Sequence, residues 1–506
     1  MVKKRKLLTL LDAEEIAERM RSSGRKVGMC HGVFDLLHPG HFAHFKAARA
    51  KVEVLFVSVT ADKFVNKGPN RPLFSEHIRT ETLSMVDCID FVVISNNRTA
   101  VESIKAIRPN IYFKGSDYAQ NSDDLSGMIS LEIDEVEKYG GTIHYTNELT
   151  SSSTTLINTY FSNHGEDFER WLQDFNSKFS LETVFQYLEL IQRTKIGVVG
   201  EIIIDRYTKC EPLSKSSKDP ILAFEIHETE TFMGGVLAIR DNIENWGGEV
   251  SLFSSMPKLI PIEQKSIIRE IKKLRNFVSI ESESKLIIKH RFVDVDSNSR
   301  IFETYDFDQD GKIATHEMFF DIMSQQNDAL DLWIVADYGH GLISKTIASK
   351  ISGLKNFIAV NTQANAGNRG YNTITKYPKA DFLCLNGGEL QLERRDRNLD
   401  YKKVVPEYMQ RLKARYAVVT LGSKGMMVFS NEESTLIPAL GSRVVDKVGA
   451  GDSVLAISSI LARHDAPIEI IGLVSSIVAA HEISQLGHRS SLKISDLMKS
   501  VKAILG

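Results

Sequence analysis

The sequence predicts two α/β domains in tandem, each a sheet covered by helices, the second with a small β lid. Three observations carry that expectation. At 506 residues the chain is too long for one domain of the usual ~100–200 residues. Strand-like apolar runs alternate with helix-compatible segments from Lys26 to Asn158, the pattern of a helix-covered parallel sheet. A second such series opens at Ile196-Gly197-Val198-Val199-Gly200 and continues to the end.

Taken in order, Met1-Val2-Lys3-Lys4-Arg5-Lys6 has the basic start of a signal peptide. Its apolar run, Leu7 to Leu11, is short and meets Asp12, Glu14 and Glu15, so the expectation is a solvated end leading into a helix. Strands are expected at Val27–Cys30, Val54–Val59, Phe91–Ile94 and Ile111–Phe113. From His164 to Thr194, Phe168, Trp171, Leu172, Phe175 and Phe179 recur at helical spacings. That segment is either a helical connector or the first helix of the second domain. The expected domains are therefore 1–160, a connector over 161–194, and 195–506. Alternation through Leu286, Ile288, His290 and Phe292 predicts an antiparallel excursion between Ser279 and Asp308, the lid. Ile470 to Ala480 is interrupted by Ser475 and Ser476 and followed by His481 and Glu482, which favours a buried helix over a membrane span.

Composition narrows the function classes. With 42% hydrophobic and 25% charged residues, the chain can bury full cores and lacks the signature of disorder. A net charge of −3 gives no electrostatic footprint for nucleic acid or an anionic membrane, so a nucleotide handled here is expected to be a small-molecule substrate. Cys30, Cys88, Cys210 and Cys384 form no C-x-x-C pair, which argues against zinc and a disulfide framework and for a reducing cytoplasm.

The segment from Lys26 to His41 reads as strand, glycine-containing turn and helix start. Unpaired N–H groups and the dipole make such a helix opening a phosphate site. His38 and His41, three apart, can project from one side of it, and two imidazoles aimed at one anion offset charge developing on an α-phosphate during in-line attack. Pro39 and Gly40 keep the turn tight and allow a triphosphate close to the backbone. Cys30 is expected to be a small buried strand residue, not a nucleophile.

The longer string resembles the nucleotidyltransferase family with the signature G-x-F-D-x-x-H-x-G-H, whose positions are filled by Gly32, Phe34, Asp35, His38, Gly40 and His41. The likeness continues through Lys67-Gly68-Pro69-Asn70-Arg71-Pro72, Arg79, Lys114-Gly115-Ser116-Asp117-Tyr118 and Ser152-Ser153-Thr154-Thr155. It implies a Rossmann-like domain that joins a nucleoside triphosphate to a phosphorylated sugar or alcohol and releases pyrophosphate. It further implies that His38 and His41 stabilise the transition state and that Ser153, Thr154 and Thr155 hold phosphates. Gly32, Phe34, Asp35, Lys114 and Asp117 would complete the nucleotide site, with Lys67 and Arg71 as phosphate clamps. Mg²⁺ is expected with the triphosphate.

In the second half, Asp446-Lys447-Val448-Gly449-Ala450-Gly451-Asp452 precedes an apolar helix. Glycines let consecutive N–H groups curl around an oxyanion, and Asp452 can take the proton from an acceptor hydroxyl. The run resembles the G-A-G-D element of ribokinase-like (PfkB) carbohydrate kinases. Asn386-Gly387-Gly388-Glu389 matches their N-x-x-E, Thr420-Leu421-Gly422-Ser423-Lys424-Gly425 their T-x-G-x-x-G, and Met233-Gly234-Gly235 their sugar-side double glycine. That resemblance implies ATP as phosphoryl donor, Mg²⁺ organised through Asn386 and Glu389, and an anion hole at Gly449, Ala450 and Gly451. Thr420, Gly422 and Gly425 would meet the nucleotide.

Both halves together resemble bifunctional heptose 7-phosphate kinase and heptose 1-phosphate nucleotidyltransferase enzymes of the ADP-heptose type. The further strings are Val199 to Tyr207, Lys289-His290-Arg291 and Ala336-Asp337-Tyr338-Gly339-His340-Gly341. This implies sugar contacts from Asp205, Gly234, Gly235, Asn242, Lys289 and Arg291. Three departures stand out: Ala238 where the kinases commonly show Asn, Lys447 in place of a small hydroxyl residue, and reversed domain order. ATP and CTP both remain open as nucleotidyl donor. The alternatives are another sugar or polyol, or a degenerate kinase half serving as a sugar-phosphate-binding scaffold. Because ribokinase-like relatives often dimerise through a strand lid, Ser279 to Asp308 is the candidate homodimer contact.

Overall fold

The computed structural model describes residues 6–65, 71–115, 128–146, 166–215, 220–308, 316–368, 370–440 and 444–505. They divide into two compact units, Met1–Asn163 with Met498–Gly506, and His164–Leu497.

Among the described residues of the first unit, the strands are β1 (Leu7–Leu8), β2 (Val27–Gly32), β3 (Val54–Thr60), β4 (Phe91–Ser95), β5 (Ile111–Gly115) and β6 (Thr142–Thr146). They form one parallel sheet in the order β1-β4-β3-β2-β5-β6. Every residue of β3 is buried. Helices cover both faces of a parallel sheet, so its central strands read as unbroken apolar runs and not as alternation. Two edge strands depart from the sequence expectation. Leu7–Leu8 pairs with Val92 and Val93 ahead of helix Leu10–Ser22 where a solvated end was expected, and the half-buried β6 closes the other edge.

The second unit opens with helices Glu166–Lys178 and Leu181–Glu189. The rings of Phe168, Trp171, Phe175 and Phe179 follow one another at centroid distances of 5.1–5.7 Å. This segment is part of the second compact unit. The strands then run β7 (Lys195–Gly200), β8 (Ile202–Lys215), β9 (Leu222–Gly235), β10 (Glu249–Pro257), β11 (Phe277–Ser282), β12 (Ile287–Asp294) and β13 (Arg300–Asp306). They continue as β14 (Leu332–Asp337), β15 (Phe357–Thr362), β16 (Phe382–Asn386), β17 (Tyr416–Thr420), β18 (Met426–Ser430) and β19 (Ser434–Ile437).

The main sheet has the order β11-β10-β7-β14-β15-β16-β17-β18-β19, antiparallel only where β18 and β19 join. The lid is a separate sheet, β13-β12-β8-β9. Its extent differs from the expectation, because Ser279 to Ser282 belong to the main sheet and half of the lid comes from Ile202–Lys215 and Leu222–Gly235. The β8–β12 pairing is parallel, so the lid is mixed. Helix Ile468–Ile483 is buried along most of its length, and no helix among the described residues is long and apolar enough to cross a membrane.

Candidate active sites

In the first unit the loop after β2 lies where strand order reverses between β2 and β5, the place where open α/β sheets accept ligands. Phe34 adopts a left-handed backbone (φ 51°) ahead of helix Pro39–Arg49. His38 caps that helix with extended geometry, and Pro39 occupies its first turn. The rings of His38 and His41 lie 3.9 Å apart with planes inclined by 34°. Phe34 meets His41 edge-on at 5.4 Å and packs over Gly32. Two imidazoles thus share the positive end of one helix, a geometry that can offset charge on a phosphoryl group in transfer.

The residues around this pair are built inward. Asp35 accepts hydrogen bonds from Leu73 N at 2.8 Å and Phe74 N at 2.9 Å. Arg71, expected as a phosphate clamp, has a side chain only 7% exposed, with Nη1 3.4 Å from Asp35 Oδ2. Lys114 Nζ pairs with Glu132 Oε2 at 2.8 Å, and Glu132 also accepts from Tyr112 and from Ala100 N. Burial alone would raise the Glu132 carboxyl, but Lys114 and His31 hold it below its ordinary value. Lys67, Asp117, Ser153, Thr154 and Thr155 lie outside the described residues.

Sequence reasoning did not assign Glu132 or His44. His44 Nδ1 lies 2.7 Å from Thr146 Oγ1, and burial, reinforced by Lys114, pushes its pKa down to about 4. Its place three residues after His41 was the available signal. Arg79 is fully enclosed and donates to Phe74, Val33 and Thr60 carbonyls and to Asp62. Cys30 is buried on β2, and burial pushes its thiol up.

In the second unit Gly449 caps helix Ala450–Arg463 with φ 85°, a conformation that an L side chain resists. Asp452 sits in the first turn of that helix. Burial pushes its carboxyl up to about 7, against the Tyr338 hydroxyl, which donates to Oδ1 at 2.8 Å, and the charge of Lys289. A carboxylate in that range suits a general base near neutral pH. Tyr338 belongs to the run Ala336–Gly341, in which the sequence alone assigns it no role.

Asn386 and Thr420 are register partners at the ends of β16 and β17, with Asn386 Nδ2 donating to Thr420 Oγ1 at 3.3 Å. Asn386 and Glu389 form a reciprocal cap on helix Gly387–Arg394. Gly422 and Gly425 shape the turn from β17 to β18. Glu389 accepts from Ala364 N at 2.9 Å and Asn386 N at 3.1 Å, and burial pushes it up to about 7. Both Glu389 oxygens are thus engaged by the backbone, so Asn386 and Glu389 would meet Mg²⁺ through water and nucleotide phosphates. When bound, the ion would offset phosphate charge.

On the sugar side, Asp205 forms a buried ion pair with Arg291, whose Nε also approaches Glu303 at 3.5 Å. A Cβ on Gly234 would fall 2.0 Å from Asp205 Oδ2, so the double glycine clears space for that carboxylate, and Gly235 caps helix Val236–Asn245. Lys289, the register partner of Asp205, is 8% exposed, and burial lowers its pKa. Arg291 is thus neutralised by the protein, and Lys289 is the cation whose charge reaches Asp452. Asn242, expected at the sugar, is 1% exposed and donates to Ser453 Oγ at 2.9 Å, so it braces the helix carrying Asp452. Ala238 is buried on helix Val236–Asn245, which also carries Asn242. A cleft nearby is lined by Glu201, Ser255, Ser284, Lys285, Phe307 and His340.

Residues 29–159 match the family model for cytidylyltransferase-like proteins, and residues 359–494 match that for pfkB family carbohydrate kinases. In its N-terminal domain the chain is 39% identical over 157 residues to bifunctional protein HldE of Acidiphilium cryptum, which covers 31% of each chain. It is 35% identical over 158 residues to bifunctional protein HldE of Trichlorobacter lovleyi, covering 31% of this chain and 30% of the relative. The match therefore spans under a third of the length of these relatives. A nucleoside kinase of Methanocaldococcus jannaschii, described as an archaeal member of the ribokinase family, aligns at TM-score 0.45 and 16% identity over 61% of this chain and 98% of its own. Escherichia coli phosphofructokinase-2 aligns at TM-score 0.48 and 14% identity over 61% and 98%.

Proposed function

We propose that this chain, which joins a cytidylyltransferase-like domain to a pfkB family carbohydrate kinase domain, is a bifunctional enzyme of nucleotide-sugar synthesis of the ADP-heptose type. One observation carries the proposal: a single chain presents paired imidazoles at one helix N-terminus and a buried carboxyl near pH 7 at another, in separate compact units. In the kinase half, Asp452 accepts the proton of the anomeric hydroxyl of a heptose 7-phosphate. The freed oxygen bonds to the γ-phosphorus of ATP, whose bond to ADP breaks. Gly449, Ala450 and Gly451 receive the anionic charge, Thr420, Gly422 and Gly425 meet the nucleotide, and Asn386 and Glu389 would hold Mg²⁺, which would offset phosphate charge.

In the transferase half, a phosphate oxygen of a sugar 1-phosphate attacks the α-phosphorus of ATP or CTP and pyrophosphate leaves. His38 and His41 stabilise the charge in flight. Ser153, Thr154, Thr155, Lys67 and Asp117 are the proposed triphosphate contacts on that side. A second substrate reading, the same chemistries on another sugar or polyol with CTP, is favoured by Ala238, which offers no hydrogen bond where an Asn is common.

The lid is the proposed contact with a second copy of the chain. Leu213, Ile221, Leu222, Ile226 and Phe302 on or beside its strands are 48–62% exposed, apolar side chains that a second copy would cover. The test of the activities is a matrix of sugars and sugar 1-phosphates against ATP and CTP with Mg²⁺, scored for ADP and for pyrophosphate. Sugar-dependent ADP with heptose 7-phosphate supports the assignment. Its absence with that sugar, alongside turnover of another, moves the substrate; absence of both products for every pair removes the proposal.

A further inference from the structure

The lid and the catalytic turn meet at one buried carboxylate. Asp446 is 5% exposed and stands six residues before Asp452. From the lid it accepts the Tyr207 hydroxyl of β8 at 2.5 Å and pairs with Arg300 of β13. From the core it accepts Gly487 N and Val448 N, each at 3.2 Å, and Val448 precedes the Gly449 cap. The next shell is a small apolar core of Tyr207, Val293 and Leu486, with Phe232 and Val445 packed on it. The lid thus supplies residues from β8, β9, β12 and β13, and the core supplies the two loops flanking the glycine turn. Val445 N and Asp446 N both donate to the Ile483 carbonyl, which ties this loop to helix Ile468–Ile483. Glu482 of that helix faces Gly449.

Four hydrogen-bonding or ionic partners on one enclosed carboxylate exceed what holding a loop requires. Neutral packing would serve that purpose without the cost of desolvating a charge. Its partners divide evenly between the lid (Tyr207 and Arg300) and the core (Val448 of the catalytic loop itself and Gly487 of the loop after helix Ile468–Ile483), so displacement of the lid disturbs a carboxylate that also fixes the turn. Resting on the kinase reading above, we infer that Asp446 is a positioning residue. Through Tyr207 and Arg300 it makes the geometry of the Gly449–Asp452 turn conditional on the lid being seated, which favours transfer to sugar over transfer to water.

The test uses the full chain with Tyr207→Phe, Arg300→Met, Arg300→Lys and Asp446→Asn, each checked for a cooperative thermal transition. Hydrogen–deuterium exchange is followed across 287–306 and at the amides of Val448 and Gly487. Faster exchange at both the lid and those two loop amides in Arg300→Met, restored by Arg300→Lys, is the expected result. Faster exchange confined to the lid overturns the inference, whatever the substrate proves to be. In the kinase assay, KM for the sugar is expected to rise about tenfold, the loss typical of one bond to a charged partner. The ratio of sugar-independent to sugar-dependent ADP release should rise with it. A uniform fall in kcat with KM and that ratio unchanged would mark a purely structural role and also overturn the inference. Absence of sugar-dependent ADP from the unaltered chain would count against the kinase reading, while the exchange result still judges the coupling.

Discussion

Replacing Tyr338 with Phe removes the hydroxyl that donates to Asp452 Oδ1 at 2.8 Å while leaving the ring in place. Burial raises the Asp452 carboxyl and this hydroxyl lowers it, with Lys289 helping, for a balance of about 7. A hydrogen bond to a charged group contributes about 1.5–3 kcal/mol, and at about 1.4 kcal/mol per pKa unit its loss moves the carboxyl up by about one to two units. At pH 7 the ionised fraction of the base then falls from about one half to between about 9% and 1%. The kinase rate falls with it by about 5- to 50-fold at pH 7, and most of the loss is recovered by pH 9. The assay is kcat/KM for sugar-dependent ADP release from pH 5.5 to 9.5, in which the acid limb should move upward. An acid limb that stays near 7, or moves down, refutes the assignment of Asp452 as the base tuned by Tyr338.

Three further outcomes follow from other contacts. Glu132→Gln leaves Lys114 buried beside an uncharged partner, and breaking such a pair costs about 3–5 kcal/mol; denaturant unfolding of the first unit should report a loss of that order. Burial opposes protonation of His488, but Asp241 and Glu482 prevail and lift it to about 10 from 6.5. Its stabilisation is thus complete below about pH 6.5 and lost as pH rises through about 10, so the thermal midpoint of the second unit should decline from pH 7 to 10, more steeply than in His488→Gln. Gly234→Ala places a methyl 2.0 Å from Asp205 Oδ2, so the carboxylate must move. KM for the sugar should rise while pyrophosphate release by the transferase half is unchanged.

The sequence exposed the elements whose signal is local. Central strands β2, β3, β4 and β5 are apolar on both faces and stand out as runs; β1, two residues long, and β6, polar and half-buried, have no such signature. The lid was seen only where alternation was clean, around Ile288 to Phe292. Ile202-Ile203-Ile204 reads as a continuation of Ile196–Gly200, and the departure to a second sheet is set by tertiary packing around Gly200 and Glu201. Gly200 runs so close to the Ala336 carbonyl that a Cβ would fall 2.0 Å from it. The same limit governed the sites. His38 and His41 are three apart on one helix and were legible. Tyr338 reaches Asp452 across 114 residues and Tyr207 reaches Asp446 across 239, and no spacing rule announces such pairs. Arg71 and Asn242 show a related limit: a polar residue beside a motif does not reveal whether it faces a ligand or braces the backbone.

The central claim is that two independent group-transfer sites share this chain, and cross-inactivation tests it directly. One preparation each of the unaltered chain, Asp452→Asn and His41→Asn is scored for sugar-dependent ADP and for pyrophosphate. Asp452→Asn should lose at least about 100-fold of the first product and none of the second. His41→Asn should do the reverse, by about 100-fold or more. Loss of both products in either variant, or of neither, contradicts the account.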